Sequence, residues 1–195
     1  MGTYTKTSGT AANKTRAGSS ASWSLAAGLY WSSGTINAGA YIDWLCYSNF
    51  GFSIPSTESI TGISVTYTTQ GQPDTNATGC DGSIMLTTNA TSPAGGCVDH
   101  ATTTAYSNRS LTAQTRGSSS DDWGAGLTYS DVNSANFGLL ISPKFNTGSS
   151  FIDFLAGLAP NISITITTTT TPDFIPGSST MYQAGIMPVN GSRSF

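Results

Sequence analysis

Apolar and polar residues alternate with a period of two along most of the chain. In "YIDWLCYSNFGFSIP" Ile42, Trp44 and Cys46 share one parity, and Tyr41, Leu45 and Tyr47 the other. In "ESITGISVTYTTQG" Ile63, Val65 and Tyr67 alternate with Ser64, Thr66 and Thr68. Period two is the repeat of a strand with one core face and one wet face. The small pair Thr61–Gly62 shifts the phase after Ile60, as a β-bulge would. "GSIMLTTN" offers Ile84 and Leu86 as an inward pair, and "NFGLLISPKF" is a strand expected to end at Pro143. Around Phe151–Phe154 the chain reads as a strand or, in "DFLAGLA", as one helical turn. "NISITITTTTTP" is the plainest strand, with Ile162, Ile164 and Ile166 inward and Ser163, Thr165 and Thr167 outward.

Clusters of Gly, Pro, Asn, Asp and Ser separate these runs, each residue type having its own local reason to turn a chain. No long segment carries the 3.6-residue repeat of a helix. Several strands with turns between them predict an all-β fold: an antiparallel β-sandwich, jelly-roll-like, with extended N- and C-terminal arms. The expected organisation is an arm over 1–20, a sandwich domain over 21–172 and a second arm over 173–195. Residues 1–20 hold almost no hydrophobes and cannot build a core. Residues 173–195 lose alternation but keep Phe174, Ile175, Met181, Tyr182, Ile186, Met187 and Phe195. That tail either lies on a neighbouring subunit or folds back over its own sandwich.

Composition narrows the function classes. The chain has 195 residues, of which only 9% are charged, while 29 Ser and 30 Thr make its surface polar and nearly neutral. Net charge is −3 and the seven cations are scattered, so no basic stripe exists to neutralise phosphates. Nucleic acid is not an expected partner. No apolar run is long enough to span a bilayer, and "MGTYTKTSGT" lacks the apolar core of a secretory signal. Lys6 stands where N-myristoylation needs Ser or Thr. Six N-x-Ser/Thr sequons occur, as expected in so Ser/Thr-rich a chain, and they receive no role.

The chemistry-bearing residues do not assemble from spacing. His100, the single histidine, has Asp99 beside it, but strand neighbours point to opposite faces. No nucleophile elbow accompanies it, so it reads as a loop or strand-edge residue. Glu58 is the single glutamate and sits in a turn, and Asp43 and Asp153 are expected to face solvent. No acid–base pair is called for. The three cysteines are an odd set. Cys80 and Cys97 either bridge or remain two small thiols, and Cys46 reads as a core hydrophobe. Cys80, Cys97 and His100 lack a fourth zinc ligand, and "DDWGAGLTYSD" is not an EF-hand loop. No metal or other cofactor is expected.

Two segments carry a resemblance. The first holds Asn49–Phe50–Gly51–Phe52, Ile54–Pro55 and Ile60–Thr61–Gly62–Ile63. The second holds Trp123–Gly124, Asp131–Val132–Asn133 and Asn136–Phe137–Gly138. In this order they resemble a β-sandwich found in virion proteins of tailed bacteriophages and in prophage genes, over roughly residues 40 to 170. Asp121, Asp122 and Asp131 then read as turn and cap residues, with Ser130 or Asp131 capping a short helical turn. Trp123 is expected to pack beside Gly124, which lets backbone approach closely.

The resemblance implies a non-enzymatic structural protein of the virion, foremost a capsid decoration (cement) protein that stabilises the head lattice. Its expected partners are the major capsid protein or other virion proteins and copies of itself, a trimer being favoured. Lys6, Lys14 and Arg16, together with the apolar residues of the tail, are the expected contacts. The alternative is a tail-fibre or head-fibre component whose sandwich loops bind a glycan receptor. Trp123 and Tyr129 lead the candidates there, with Trp31 and Trp44 behind them, because aromatic faces stack on sugars. A secreted hydrolase is the weakest reading.

Overall fold

The computed structural model describes residues 1–7, 9–26, 29–32, 36–71, 78–105, 112–147, 149–150, 152–155 and 162–170. The first quarter of the chain runs β1 (Gly2–Thr7), β2 (Thr10–Lys14), β3 (Ser19–Ala21), β4 (Trp23–Ala26), β5 (Leu29–Ser32), β6 (Ile36–Asn37), β7 (Tyr41–Ile42) and β8 (Trp44–Ser48). Then follow β9 (Glu58–Gly71), β10 (Thr78–Thr87), β11 (Thr112–Ser118), α1 (Tyr129–Asn133), β12 (Gly138–Thr147), β13 (Ser149–Ser150), β14 (Ile152–Leu155) and β15 (Ile162–Thr170).

Two sheets face each other, and the fold is an all-β sandwich. The first runs β1-β15-β9-β14-β5-β4, with β11 also on β9. Tyr67 pairs with both β11 and β15, and Thr69 with both β11 and β14. A strand has two edges, so β14 and β15 follow one another along the same edge of β9. The second sheet runs β2-β8-β12-β7-β3, with β10 on β12. The β3–β7 pair is parallel and the other pairs are antiparallel.

The alternation seen in the sequence becomes the core. Ile63, Val65 and Tyr67 of β9 and Ile162, Ile164 and Ile166 of β15 face Leu45, Tyr47, Ile84, Leu86, Leu139 and Ile141 of the opposite sheet. Each such side chain contributes about 1.5–3 kcal/mol when fully buried. The bulge foreseen at Thr61–Gly62 is present: Thr167 pairs with Gly62 and Thr168 with Ile60, leaving Thr61 extra. Pro143, in contrast, does not end its strand. β12 continues to Thr147, and the register slips between Asp81 and Ser83 across from Ser142–Pro143. A bulge at Gly82 absorbs the slip where proline brings no N–H to the ladder.

Residues 1–20, expected as an arm without a core, are strands in both sheets. β1 pairs with β15 over Gly2 to Thr7, and β2 with β8 over Thr10 to Lys14. An edge strand needs few hydrophobes: Tyr4 and Ala11 alone reach the core from β1 and β2. Asp43, expected in solvent, is 7% exposed and ties this segment down. Its carboxylate accepts from Asn13 Nδ2, Arg16 N and the Ser19 hydroxyl. β8 is also buried on both faces, with Trp44, Cys46 and Leu140 forming a second apolar cluster on the far side of the sheet. The tail residues Phe174 to Phe195 lie outside the described residues.

Candidate functional site

The segment Asp121–Gly138 has the densest chemistry in the sequence, and its local structure explains each polar group. Asp121 Oδ1 accepts from Trp123 N at 2.9 Å, and Asp122 Oδ1 accepts from Gly124 N at 3.0 Å. These are turns in which a side-chain carboxylate replaces a backbone acceptor. Asp131 closes a capping box: its carboxylate accepts from Thr128 N at 2.8 Å, and Thr128 Oγ1 accepts from Asp131 N. The cap of α1 is therefore Thr128, not Ser130 or Asp131, and Asp131 serves three residues later. The three aspartates are turn and cap residues.

Trp123 anchors the loop. It is wholly buried, and its indole N–H donates to Ile63 O at 2.8 Å, beside the β9 bulge. Ile63 N donates back to Asp121 O at 2.8 Å. The close neighbour of the indole is Gly117 of β11, where a Cβ would lie 2.5 Å from Trp123 Nε1; Gly124 instead turns the chain at φ 63°. On the other side the His100 ring lies 4.0 Å from the Trp123 ring, centroid to centroid. His100 Nε2 stands 3.4 Å from Asp121 Oδ2 without hydrogen-bond alignment.

His100 belongs to a cover over the edge strand β10. His100 N and Ala94 N donate to Ile84 O and Leu86 O. Asp99 Oδ1 accepts from Ile84 N at 2.8 Å, and Cys97 Sγ accepts from Leu86 N at 3.2 Å. A loop thus pairs the edge with side chains as well as backbone, which blocks edge-to-edge association. Cys80 and Cys97 are free thiols. Burial raises the pKa of each above the ordinary thiol value, which opposes the thiolate that nucleophilic chemistry needs. Among the described residues, no three His, Cys, Asp or Glu side chains gather as a metal site. No helix there is long and apolar enough to cross a membrane.

Among the described residues, an open cleft of about 390 Å³ lies between the start of β9 and the 122–129 loop. Ser56, Glu58, Ile60, Asp122, Leu127 and Tyr129 are among the residues that line it. Tyr129 is 39% exposed. Glu58 accepts from Tyr4 Oη at 2.9 Å and from the Thr168 hydroxyl. The Thr168 bond first, and the Tyr4 bond second, hold its carboxyl below the ordinary value. A ring, two carboxylates and several hydroxyls in an open cleft can bind a polyol.

The candidate contacts therefore separate. Trp123 is buried and offers no face to a sugar, Trp44 is 7% exposed, and Tyr129 alone of the described aromatic candidates reaches the cleft. The side chain of Trp31 lies outside the described residues. Lys6 stands on the first sheet, Lys14 and Arg16 on or beside the second, so the three cations do not share one strand array. The Arg16 guanidinium carbon sits 3.6 Å from the Tyr41 ring centre and 5.0 Å from that of Trp44. Sequence reasoning missed Asp81, which is 1% exposed and accepts from Tyr67 Oη at 2.8 Å and Arg116 Nε at 2.9 Å. Its one signal is the adjacent Gly82, whose bulge reverses the parity of the strand. No protein-family model, no curated protein and no solved structure matches this chain.

Proposed function

We propose that the protein is a non-enzymatic structural component of a tailed-phage virion, a decoration protein that locks onto the head lattice. The observation that supports this reading is where the two phage-like segments go. Asn133, in the second segment, donates to Ile54 O and accepts from Ile54 N in the first, at 2.9 and 2.8 Å. Phe50 and Phe52 pack on Phe137, with ring centres 6.4 and 6.0 Å apart. Asn49 N donates to Ala135 O. Residues 79 to 87 positions apart thus build one end of the sandwich, so the resemblance covers an architectural unit rather than a catalytic one. A rigid sandwich with a nearly uncharged hydroxyl surface suits a protein that acts by burying area against neighbouring subunits. Its partners are then the major capsid protein and further copies of itself.

Immunogold electron microscopy on particles purified from a lysate containing the protein tests this reading. Gold spread over the heads is the expected result. Gold confined to tails, or unlabelled particles, overturns it.

One observation favours a second reading, a fibre component that binds a glycan: the exposed Tyr129 ring stands over a cleft lined by carboxylates and hydroxyls. A glycan array distinguishes the two. Saccharide binding that disappears in Tyr129→Ala supports the fibre reading, whereas a blank array removes it.

A further inference from the structure

Among the described residues, one sheet edge is covered and another is open. The outer edge of β10 is capped by Ala94, Cys97, Asp99 and His100. β1 is also an edge strand, and among the described residues no strand pairs with its outer side. It runs six residues in unbroken register with β15, without proline or bulge. Thr3, Thr5, Lys6 and Thr7 are exposed. Unpaired N–H and C=O groups on such a strand are a template for another strand.

The strand is complementary to itself. If two copies pair antiparallel about Tyr4, then Tyr4 meets Tyr4, Thr3 meets Thr5, and Lys6 meets Gly2. Gly2 has no side chain to obstruct Lys6, and the Glu58 carboxylate lies beside it, with Oε2 3.0 Å from where a Cβ of Gly2 would stand. Lys6 has no ion-pair partner among the described residues. Threonine pairs across strands are favourable, and one such pair already operates within the chain, Thr5 with Thr165 at 2.9 Å.

We propose that β1 is a self-association edge, through which two copies join their first sheets about a two-fold axis centred on Tyr4. Lys6 of each copy reaches Glu58 of the other across Gly2. The contact is isologous. It favours pairs of chains over the trimer suggested by the resemblance, and it holds whether or not the protein belongs to a virion.

The test is sedimentation of the full chain from about 1 µM to about 1 mM. The expected mass rises with concentration from 20.1 kDa toward twice that value. Lys6→Glu, which sets a carboxylate beside Glu58, weakens association at least about tenfold, while Lys6→Arg retains it. Lys6 is exposed, so neither change disturbs folding. Register is read by cross-linking. Opposed strand residues are about 4.5–5.5 Å apart at Cα, within disulfide range. A mixture of Thr3→Cys and Thr5→Cys proteins is expected to form an intermolecular disulfide far faster than either alone. A monomer at every concentration overturns the proposal. So does an oligomer indifferent to Lys6→Glu and lacking the mixed cross-link.

Discussion

Replacing Arg116 by methionine tests how the two sheets are joined. Asp81 lies on β10 of one sheet, while Tyr67 and Arg116 lie on β9 and β11 of the other. The Asp81 side chain is 0% exposed and that of Arg116 12%. Arg116 Nε donates to Asp81 Oδ2 at 2.9 Å, and Nη2 donates to the same oxygen and to Thr102 Oγ1. Tyr67 Oη donates to the other carboxylate oxygen. Removing the guanidinium withdraws the counter-charge from a carboxylate shut off from water, at a cost of about 3–5 kcal/mol. With a urea slope of roughly 2 kcal/mol/M, the unfolding midpoint falls by about 1.5–2.5 M. The assay is urea unfolding followed by tryptophan fluorescence. The double variant Asp81→Asn with Arg116→Met removes both charges and is expected to recover much of the loss. A cost below about 1 kcal/mol for Arg116→Met, typical of a solvent-screened pair, would refute the reasoning.

Four further outcomes are expected. Gly117→Ala places a Cβ 2.2 Å from Ile63 O at a backbone φ of 73° and should cost more than about 2 kcal/mol, read by thermal unfolding. Asp99→Ala removes the acceptor of Ile84 N and leaves that N–H of the β10 edge unpaired; stability should fall by about 1–3 kcal/mol and light scattering should show concentration-dependent aggregation. Burial raises the Cys46 thiol from 9.0 to about 11. The unfolded chain loses this proton first, so the Cys46 contribution should be constant below about pH 9 and fall by roughly 2–3 kcal/mol by pH 11, a component of the alkaline loss that is absent in Cys46→Ala. The Glu58 carboxyl is held low in the folded state, so its contribution is present above about pH 4.3, the ordinary value, and is lost as pH falls through the folded one. Glu58→Gln should flatten that acid limb in a pH series of melting temperatures.

The strands of the core were legible because burial on one face of a sheet imposes a period of two, and nothing else in this chain does. β9 and β15 could be read from their alternation, including the bulge at Thr61, but Thr167, expected outward, is 5% exposed, beside the register shift between Thr167 and Thr168. The turn roles of Asp121 and Asp122 were legible too, since a carboxylate two residues before its donor needs no distant partner. The N-terminal strands were not legible. Edge strands such as β1 and β2 draw on backbone ladders supplied by β15 and β8, and a Thr-rich segment carries no mark of that. Asp43, Asp81 and Asp99 were missed for a related reason: each serves groups 14 to 35 positions away, and what a strand carboxylate meets depends on packing.

The sequence by itself determined that this is a chain of alternating strands joined by turn-forming loops, with no helix-building repeat and no basic stripe. These are local properties, set by parity and residue type. Tertiary structure alone decided that Trp123 is a core anchor while Tyr129 faces a cleft, that Asp81 and Arg116 bind the sheets together, and that, among the described residues, one sheet edge is covered while another stays open. Each of those depends on which strand lies beside which, and strand order is a long-range outcome of packing that parity does not encode.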